Sequence, residues 1–111
     1  MLYVEADNTV RLTRGDTAYL QVPIVNDVTL EPYIVAEDDT LVLSVKRTVK
    51  DAEVCFQKTI KGTDIFHIKP EDTHQCEFGK YKYDVQLTTS SGEVYTVIEP
   101  TCFEILTEVT T

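Results

Sequence analysis

Two histidines and a cysteine come closest to a set of residues that could do chemistry. His67, His74 and Cys76 lie in one short stretch, and imidazole nitrogen and thiolate sulfur are the usual ligands of zinc. Their spacing matches no familiar zinc pattern, and a fourth ligand would have to come from Glu77 or from a distant cysteine. Cysteine–histidine catalysis would also need a positioned base and an oxyanion site, and no glycine-rich turn is present to build them. We therefore expect structural roles for these residues in a protein that is not an enzyme, with no catalytic residue, metal or cofactor.

An acidic run offers a second candidate site. Glu37-Asp38-Asp39 closes an irregular segment, and calcium prefers several oxygen ligands from one loop. Three consecutive acids lack the alternating spacing and the final bidentate acid of a calcium-binding loop. The sequence therefore predicts a solvated acidic loop.

Tyrosines are the third set, because tyrosine is favoured in protein interfaces. Tyr81, Tyr83 and Tyr95 lie in predicted strands, where we expect core or half-buried rings. Tyr19 falls on the strand face opposite its apolar neighbours, and Tyr33 lies in the irregular segment. We therefore predict a contact surface that includes Tyr19 and Tyr33.

The elements that position these residues are strands. From Gly79 to Thr88 apolar and polar residues alternate, Ser90-Ser91-Gly92 predicts a tight turn, and Val94–Ile98 supplies a return strand. Similar signals recur about every ten residues along the chain, with turn residues between them. The pattern predicts an all-β fold, an antiparallel immunoglobulin-like β-sandwich of about 7 to 9 short strands, as a single domain over residues 1–111. The residues expected in its core are Ala18, Leu20, Val22, Leu41, Leu43, Val45, Phe56, Tyr83, Val85, Leu87 and Phe103.

Composition excludes several classes of partner. The net charge is −9 and the ten Lys and Arg residues are scattered, whereas nucleic-acid binding needs clustered cations. No apolar run approaches the roughly 20 residues of a membrane span, so we expect no membrane partner. The N-terminal residues lack the basic and apolar regions of a secretory signal, and three cysteines leave at least one unpaired. We expect reduced thiols and synthesis in a bacterial host's cytoplasm.

An ordered set of motifs resembles a known family. It comprises a GDT entry to the second strand, a PEDT turn, then G-x-Y-x-YD-x-QLTT with a glycine-containing hairpin and a closing apolar strand. From about Val10 to Thr110 the chain is similar to small β-sandwich domains in virion proteins of tailed phages and prophages, among them the N-terminal domain of the baseplate upper protein. The resemblance implies a non-enzymatic structural role in the virion (baseplate, tail, neck or head decoration). It also implies other virion proteins as partners, a homo-oligomer or several copies in the assembly, and no catalytic residues.

Two further expectations follow. A carbohydrate-binding sandwich module is the alternative function, weakened by the absence of Trp and by the core positions of most tyrosines. In immunoglobulin-like sandwiches a tyrosine after an Asp-containing turn bonds back to upstream backbone. Here the Pro70–Thr73 turn precedes Tyr81, which is the expected corner residue, with Tyr83 as the alternative.

Overall fold

Alternating apolar residues form strands along most of the chain. The computed structural model describes residues 2–4, 7–26, 28–51 and 53–107, with side chains from residue 7 onward. The elements are β1 (Leu2–Val4), β2 (Val10–Thr13), β3 (Ala18–Gln21), β4 (Thr40–Lys46), β5 (Phe56–Lys61), β6 (Ile65–Ile68), α1 (Pro70–His74), β7 (Gly79–Thr88) and β8 (Val94–Leu106).

The strands form one large sheet and one small one. The large sheet has the order β1-β2-β8-β7-β4-β5, and β3 pairs with β6 in a separate two-stranded sheet. Most neighbours are antiparallel, but β2 and β8 run parallel, with Val10 opposite Phe103. The prediction of an all-β fold is confirmed, whereas the large sheet is mixed instead of wholly antiparallel. Alternation within a strand reports which face is buried and carries no information on the direction of a distant neighbour.

The core lies between the two sheets. All the residues predicted for it are buried, because every second residue of a strand points to the same face. Val10, Leu12, Phe66, Ile68, Cys76, Tyr81, Ile98 and Ile105 complete it. No helix in the described part of the chain is long and apolar enough to cross a membrane.

The strands give the molecule two distinct ends along a long axis of 45 Å. Thr40 pairs with both Lys61 and Thr88, and Thr88 pairs with Val94. We term this the hairpin end, and it comprises the loop 22–39, residues 61–64, the turn 89–93 and the start of β8. The opposite, disulfide end contains α1 and the loop between β4 and β5.

A disulfide joins Cys55 to Cys76 at the disulfide end, with 5.9 Å between their Cα atoms. The expectation that all the cysteines are reduced thiols is therefore wrong, and Cys102 is the free thiol. An odd cysteine count requires one unpaired residue and does not prevent the other two from pairing. The fold brings them together because Cys55 extends the β4–β5 ladder, its N–H donating to the Val45 carbonyl, and Cys76 lies two residues beyond the end of α1.

Polar contacts hold α1 beside the disulfide. The Asp72 carboxylate accepts hydrogen bonds at 2.7 Å from the Lys69 N–H and from the Lys58 ammonium. The buried Thr73 hydroxyl accepts a hydrogen bond from the Gly15 N–H at 3.0 Å. A helix of one turn has little stability of its own, so these contacts and the disulfide fix its position.

Tyr81 makes the expected corner bond. Its buried ring lies opposite Phe103, and its hydroxyl donates to the Glu77 carbonyl at 2.7 Å. The Tyr83 hydroxyl bonds elsewhere, donating to the Asn8 carbonyl, and burial raises the pKa of that phenol. The hydroxyl of Tyr81 thus satisfies a carbonyl in the irregular stretch that leads from α1 into β7.

Replacing Tyr81 by phenylalanine should lower the free energy of unfolding by about 1 to 2 kcal/mol, the scale of one buried hydrogen bond. Urea unfolding checks this, with Tyr19→Phe as the control, because Tyr19 is 64% exposed. The control should change stability by less than about 0.5 kcal/mol. Equal midpoints for Tyr81→Phe and wild type would show that the bond is not stabilising.

Candidate functional site: an apolar and acidic surface at the hairpin end

A glycine turn builds one half of the hairpin end. The Thr89 N–H donates to the Glu93 carbonyl and the Gly92 N–H to the Thr89 carbonyl, both at 2.9 Å. Gly92 has φ +89°, a conformation that residues with a Cβ rarely adopt. The turn therefore returns the chain directly into β8, as predicted from Ser90-Ser91-Gly92.

The loop 22–39 builds the other half, and side-chain caps order it. The Asn26 side-chain oxygen accepts from the N–H groups of Val28 and Thr29 at 2.9 and 3.1 Å. The Leu30 N–H donates to the Asn26 carbonyl, and the Asn26 N–H donates to the Glu31 carbonyl. Asparagine favours such turns because its short side chain reaches backbone two residues further on. The chain thus forms a compact tip.

Asp39 orders the end of the loop 22–39. It is only 2% exposed, and its carboxylate accepts hydrogen bonds from the Tyr33 hydroxyl and from the Ala36 N–H. These bonds, that of Tyr33 foremost, lower the pKa of the Asp39 carboxyl. The same bond raises the pKa of the Tyr33 phenol. Asp39 thus serves the loop itself, where it holds the Tyr33 hydroxyl and the Ala36 backbone.

Replacing Asp39 by asparagine should destabilise the protein at neutral pH and progressively less below about pH 4. A carboxyl whose pKa falls on folding stabilises the protein above its unfolded pKa of about 3.9, and that contribution is lost as the pH falls through the folded value. Urea midpoints measured between about pH 2 and pH 7 give the difference between variant and wild type. Asp38→Asn is the control, because Asp38 is exposed and lies 3.8 Å from Lys61 at the surface. A difference independent of pH would contradict this role of Asp39.

Large apolar side chains are exposed at the hairpin end. Val28 and Ile34 are each 86% exposed and Leu30 is 77% exposed. Val25, Val94 and Tyr95 are also exposed in part. Single exposed apolar residues are ordinary on a protein surface, but a concentration of them marks a site of interaction.

Carboxylates are numerous in the segments that form the hairpin end. They are Glu31, Glu37, Asp38, Asp39, Asp64 and Glu93. Among the described residues of the hairpin end, Lys61 is the one cation, and it lies beside Asp38. The other Lys and Arg residues lie along the strands and toward the disulfide end. The hairpin end therefore presents apolar contacts within a negative field.

A groove of about 510 Å³ separates the two halves of the hairpin end. Val25, Asn26 and Tyr33 line one wall, and Tyr95, Thr96 and Val97 of β8 line the other. No metal site accompanies it, since the described residues contain no cluster of three or more His, Cys, Asp or Glu side chains that could hold an ion. Its polar and apolar lining suits a peptide segment better than an ion.

The two tyrosines predicted for a contact surface have different environments. Tyr33 lies in the groove wall, and Asp39 holds its hydroxyl. Tyr19 projects from β3 and stacks on His67, with 4.5 Å between ring centroids. The described ring contacts do not bring Tyr19 and Tyr33 together. Cys76 is part of the disulfide, and so it is not available as a thiolate ligand beside His67 and His74.

Sequence reasoning missed the exposed residues Val28, Leu30 and Ile34. The signal was present, because apolar residues recur without a strand or helix period in the segment 22–39. Residues without such a period cannot all point into one core, which indicates exposure.

A second depression lies on the outer face of the large sheet, with a volume of about 540 Å³. Its lining combines polar residues such as Lys46, Gln57 and Lys82 with the apolar Val49 and Val54. Asp84 is also there, and burial raises the pKa of its carboxyl. Charges of both signs line this depression, so it lacks the predominantly negative charge of the hairpin end.

Comparison of the chain with known protein families, with curated proteins and with solved structures finds no match in any of the three.

Proposed function

We propose that this protein is a non-enzymatic structural component of a phage or prophage virion, and that it contacts other virion proteins through its hairpin end. The observation that carries the contact role is the exposure of Val28, Leu30 and Ile34 at an end of the molecule that is rich in carboxylates. The virion setting rests on the motif resemblance of the sequence. Several copies in one assembly and a final location in the particle belong to the same proposal.

Physical arguments support a contact role for the hairpin end. Burying an apolar side chain such as Leu30 against a partner would contribute about 1.5 to 3 kcal/mol. Asn26 and Asp39 already hold the loop in place, so binding would order few additional residues. A preordered surface retains more of its contact energy as affinity.

Mass spectrometry of particles tests the proposal. Particles from an induced host that encodes the chain, purified on a density gradient, should contain it. The double variant Val28→Ser with Leu30→Ser should be recovered about tenfold less, as expected when central apolar contacts are lost. Val49→Ser is the matched control, because Val49 is 59% exposed but lies in the loop at the disulfide end. Particles that lack the wild-type chain would contradict the proposal.

Carbohydrate binding is the second candidate, and the stack of Tyr19 on His67 favours it. A ring held at 4.5 Å from a neighbour and 64% exposed could support a sugar by stacking. Binding to a glycan array that disappears with Tyr19→Ala would support this function. Binding to no glycan, or binding unchanged by that substitution, would contradict it.

A further inference from the structure

We infer that the segment Val94–Ile98 of β8 is an acceptor edge, and that the partner adds a strand there whose sequence alternates apolar and basic residues. This inference rests on the proposed function, and it specifies both the mode of binding and the chemistry of the partner. Its basis is the pairing of β8, the residues along its edge and the charge around the groove.

In the described part of the chain, no strand pairs with one edge of the first half of β8. On one side β8 pairs with β7 along almost its whole length. On the other side β2 covers only Phe103–Leu106, and no other described strand pairs with Val94–Ile98. At about 3.4 Å per residue this edge is roughly 17 Å long, enough for a short extended segment.

Backbone groups point outward along this edge. The bond from the Thr89 N–H to the Glu93 carbonyl makes these two residues a hydrogen-bonded pair. Such pairs alternate with non-bonded ones in an antiparallel ladder. Val94, opposite Thr88, and Thr96, opposite Gln86, are therefore non-bonded pairs whose N–H and C=O groups face away from β7. Thr96 also lines the groove, and an added strand could bond to these outward groups.

The residue types leave this edge open to pairing. Edge strands are usually protected by charges, prolines or bulges, and Val94–Ile98 contains no charge and no proline. Protection begins at its far end, where Val97 forms a bulge between Thr96 and Ile98 and Glu99-Pro100 follows. The unprotected stretch coincides with the groove wall formed by Tyr95, Thr96 and Val97.

Charge and lining select the occupant. An extended segment presents alternate side chains to opposite faces. Its apolar side chains would contact Leu87, Val25 and the Tyr95 ring in the groove, while its basic side chains, on the opposite face, would lie in the negative field of the hairpin end. The negative charge of the hairpin end disfavours a second copy of the same end, because like charges would meet there.

A peptide titration tests the inference. The probe is an eight-residue peptide that alternates valine and lysine, with the valine and glutamate peptide as its matched control. Fluorescence anisotropy should show binding of the lysine peptide alone, weakened by added salt. Thr96→Pro should weaken binding by about tenfold, the effect of one lost backbone hydrogen bond. Thr96→Ala keeps that N–H and should bind as wild type does.

Proline at position 96 should leave the fold intact, because the N–H it removes faces away from β7. Circular dichroism checks this. Should Thr96→Pro unfold, a lysine peptide with N-methyl groups on alternate residues tests the same bond with wild-type protein, and it should not bind.

Several results would overturn the inference. These are no binding of the lysine peptide at about 1 mM, equal binding of the glutamate peptide, and equal binding of the N-methylated peptide. Sedimentation that shows a dimer abolished by Thr96→Pro would identify a second copy as the occupant and would equally overturn it. If the chain is recovered in particles but does not bind the peptide, strand addition is refuted and the virion role is not. If the chain binds the peptide but is absent from purified particles, the virion role is refuted and strand addition is not.

Discussion

Replacing Phe103 by alanine should lower the free energy of unfolding by about 3 to 5 kcal/mol, the largest loss expected for any single residue here. Phe103 is fully buried, and its ring meets Phe56 and Tyr83 edge-to-face at centroid distances of 5.7 and 5.6 Å. It also lies on β8 between β2 and β7. The cavity left by truncation would therefore weaken packing across three strands.

Urea unfolding measures this loss, and Phe78→Ala provides a matched control. Phe78 is 40% exposed. The Arg14 guanidinium lies over its ring, with 4.2 Å between the guanidinium carbon and the ring centroid. Its truncation should lower the free energy of unfolding by about 1 kcal/mol. Equal losses for the two variants would show that Phe103 does not lie at the centre of the core.

Removing the disulfide should have the second largest effect, a loss of about 2 to 4 kcal/mol. The bond links Cys55 to Cys76 across a separation of 21 residues, and this cross-link restricts the unfolded chain. The double variant Cys55→Ala with Cys76→Ala should show the loss, and reductant should lower the stability of wild type to a similar degree. Cys102→Ala, the control, should respond to reductant as wild type does.

Thiol titration of the unfolded protein without reductant provides an independent check. One reactive thiol, that of Cys102, is expected from the three cysteines of the chain. Three reactive thiols would contradict the disulfide.

The sequence was sufficient to predict the strands and most of the core. In β4 and β7 every second residue is apolar, and Leu41, Leu43 and Val45 face Leu87, Val85 and Tyr83 across the sheet. Such a pattern is local, and burial of one face requires no knowledge of the partner strand. The turn at Ser90-Ser91-Gly92 was predictable for the same reason, because glycine marks it directly.

Long-range features were not predictable from the sequence. The parallel contact of β2 with β8 joins residues 93 positions apart, as in the pairing of Arg11 with Glu104. The disulfide depends on where α1 is held, which Asp72 and Thr73 decide through contacts with distant residues. Local sequence preferences predict neither the parallel pairing nor the disulfide, because both arise from tertiary packing.

The candidate site was predictable only in part. Tyr33 was selected because tyrosine favours interfaces, and it does line the groove, but its hydroxyl serves Asp39. The exposure of Leu30 depends on the turn that Asn26 caps and on a backbone φ of +61° at Leu30 itself. A residue of this type rarely adopts that conformation, so the local pattern could indicate exposure in this segment but could not predict the backbone turn at Leu30.

Hydrogen–deuterium exchange of the chain, free and within purified particles, tests most directly whether the hairpin end is the contact surface. Backbone amides of residues 28–34 and 89–97 should exchange more slowly in the particle than in the free protein, because a partner would cover them. Amides of residues 46–51 at the disulfide end should be unchanged. Protection confined to the disulfide end, or no protection anywhere in the chain, would contradict the proposed role of the hairpin end.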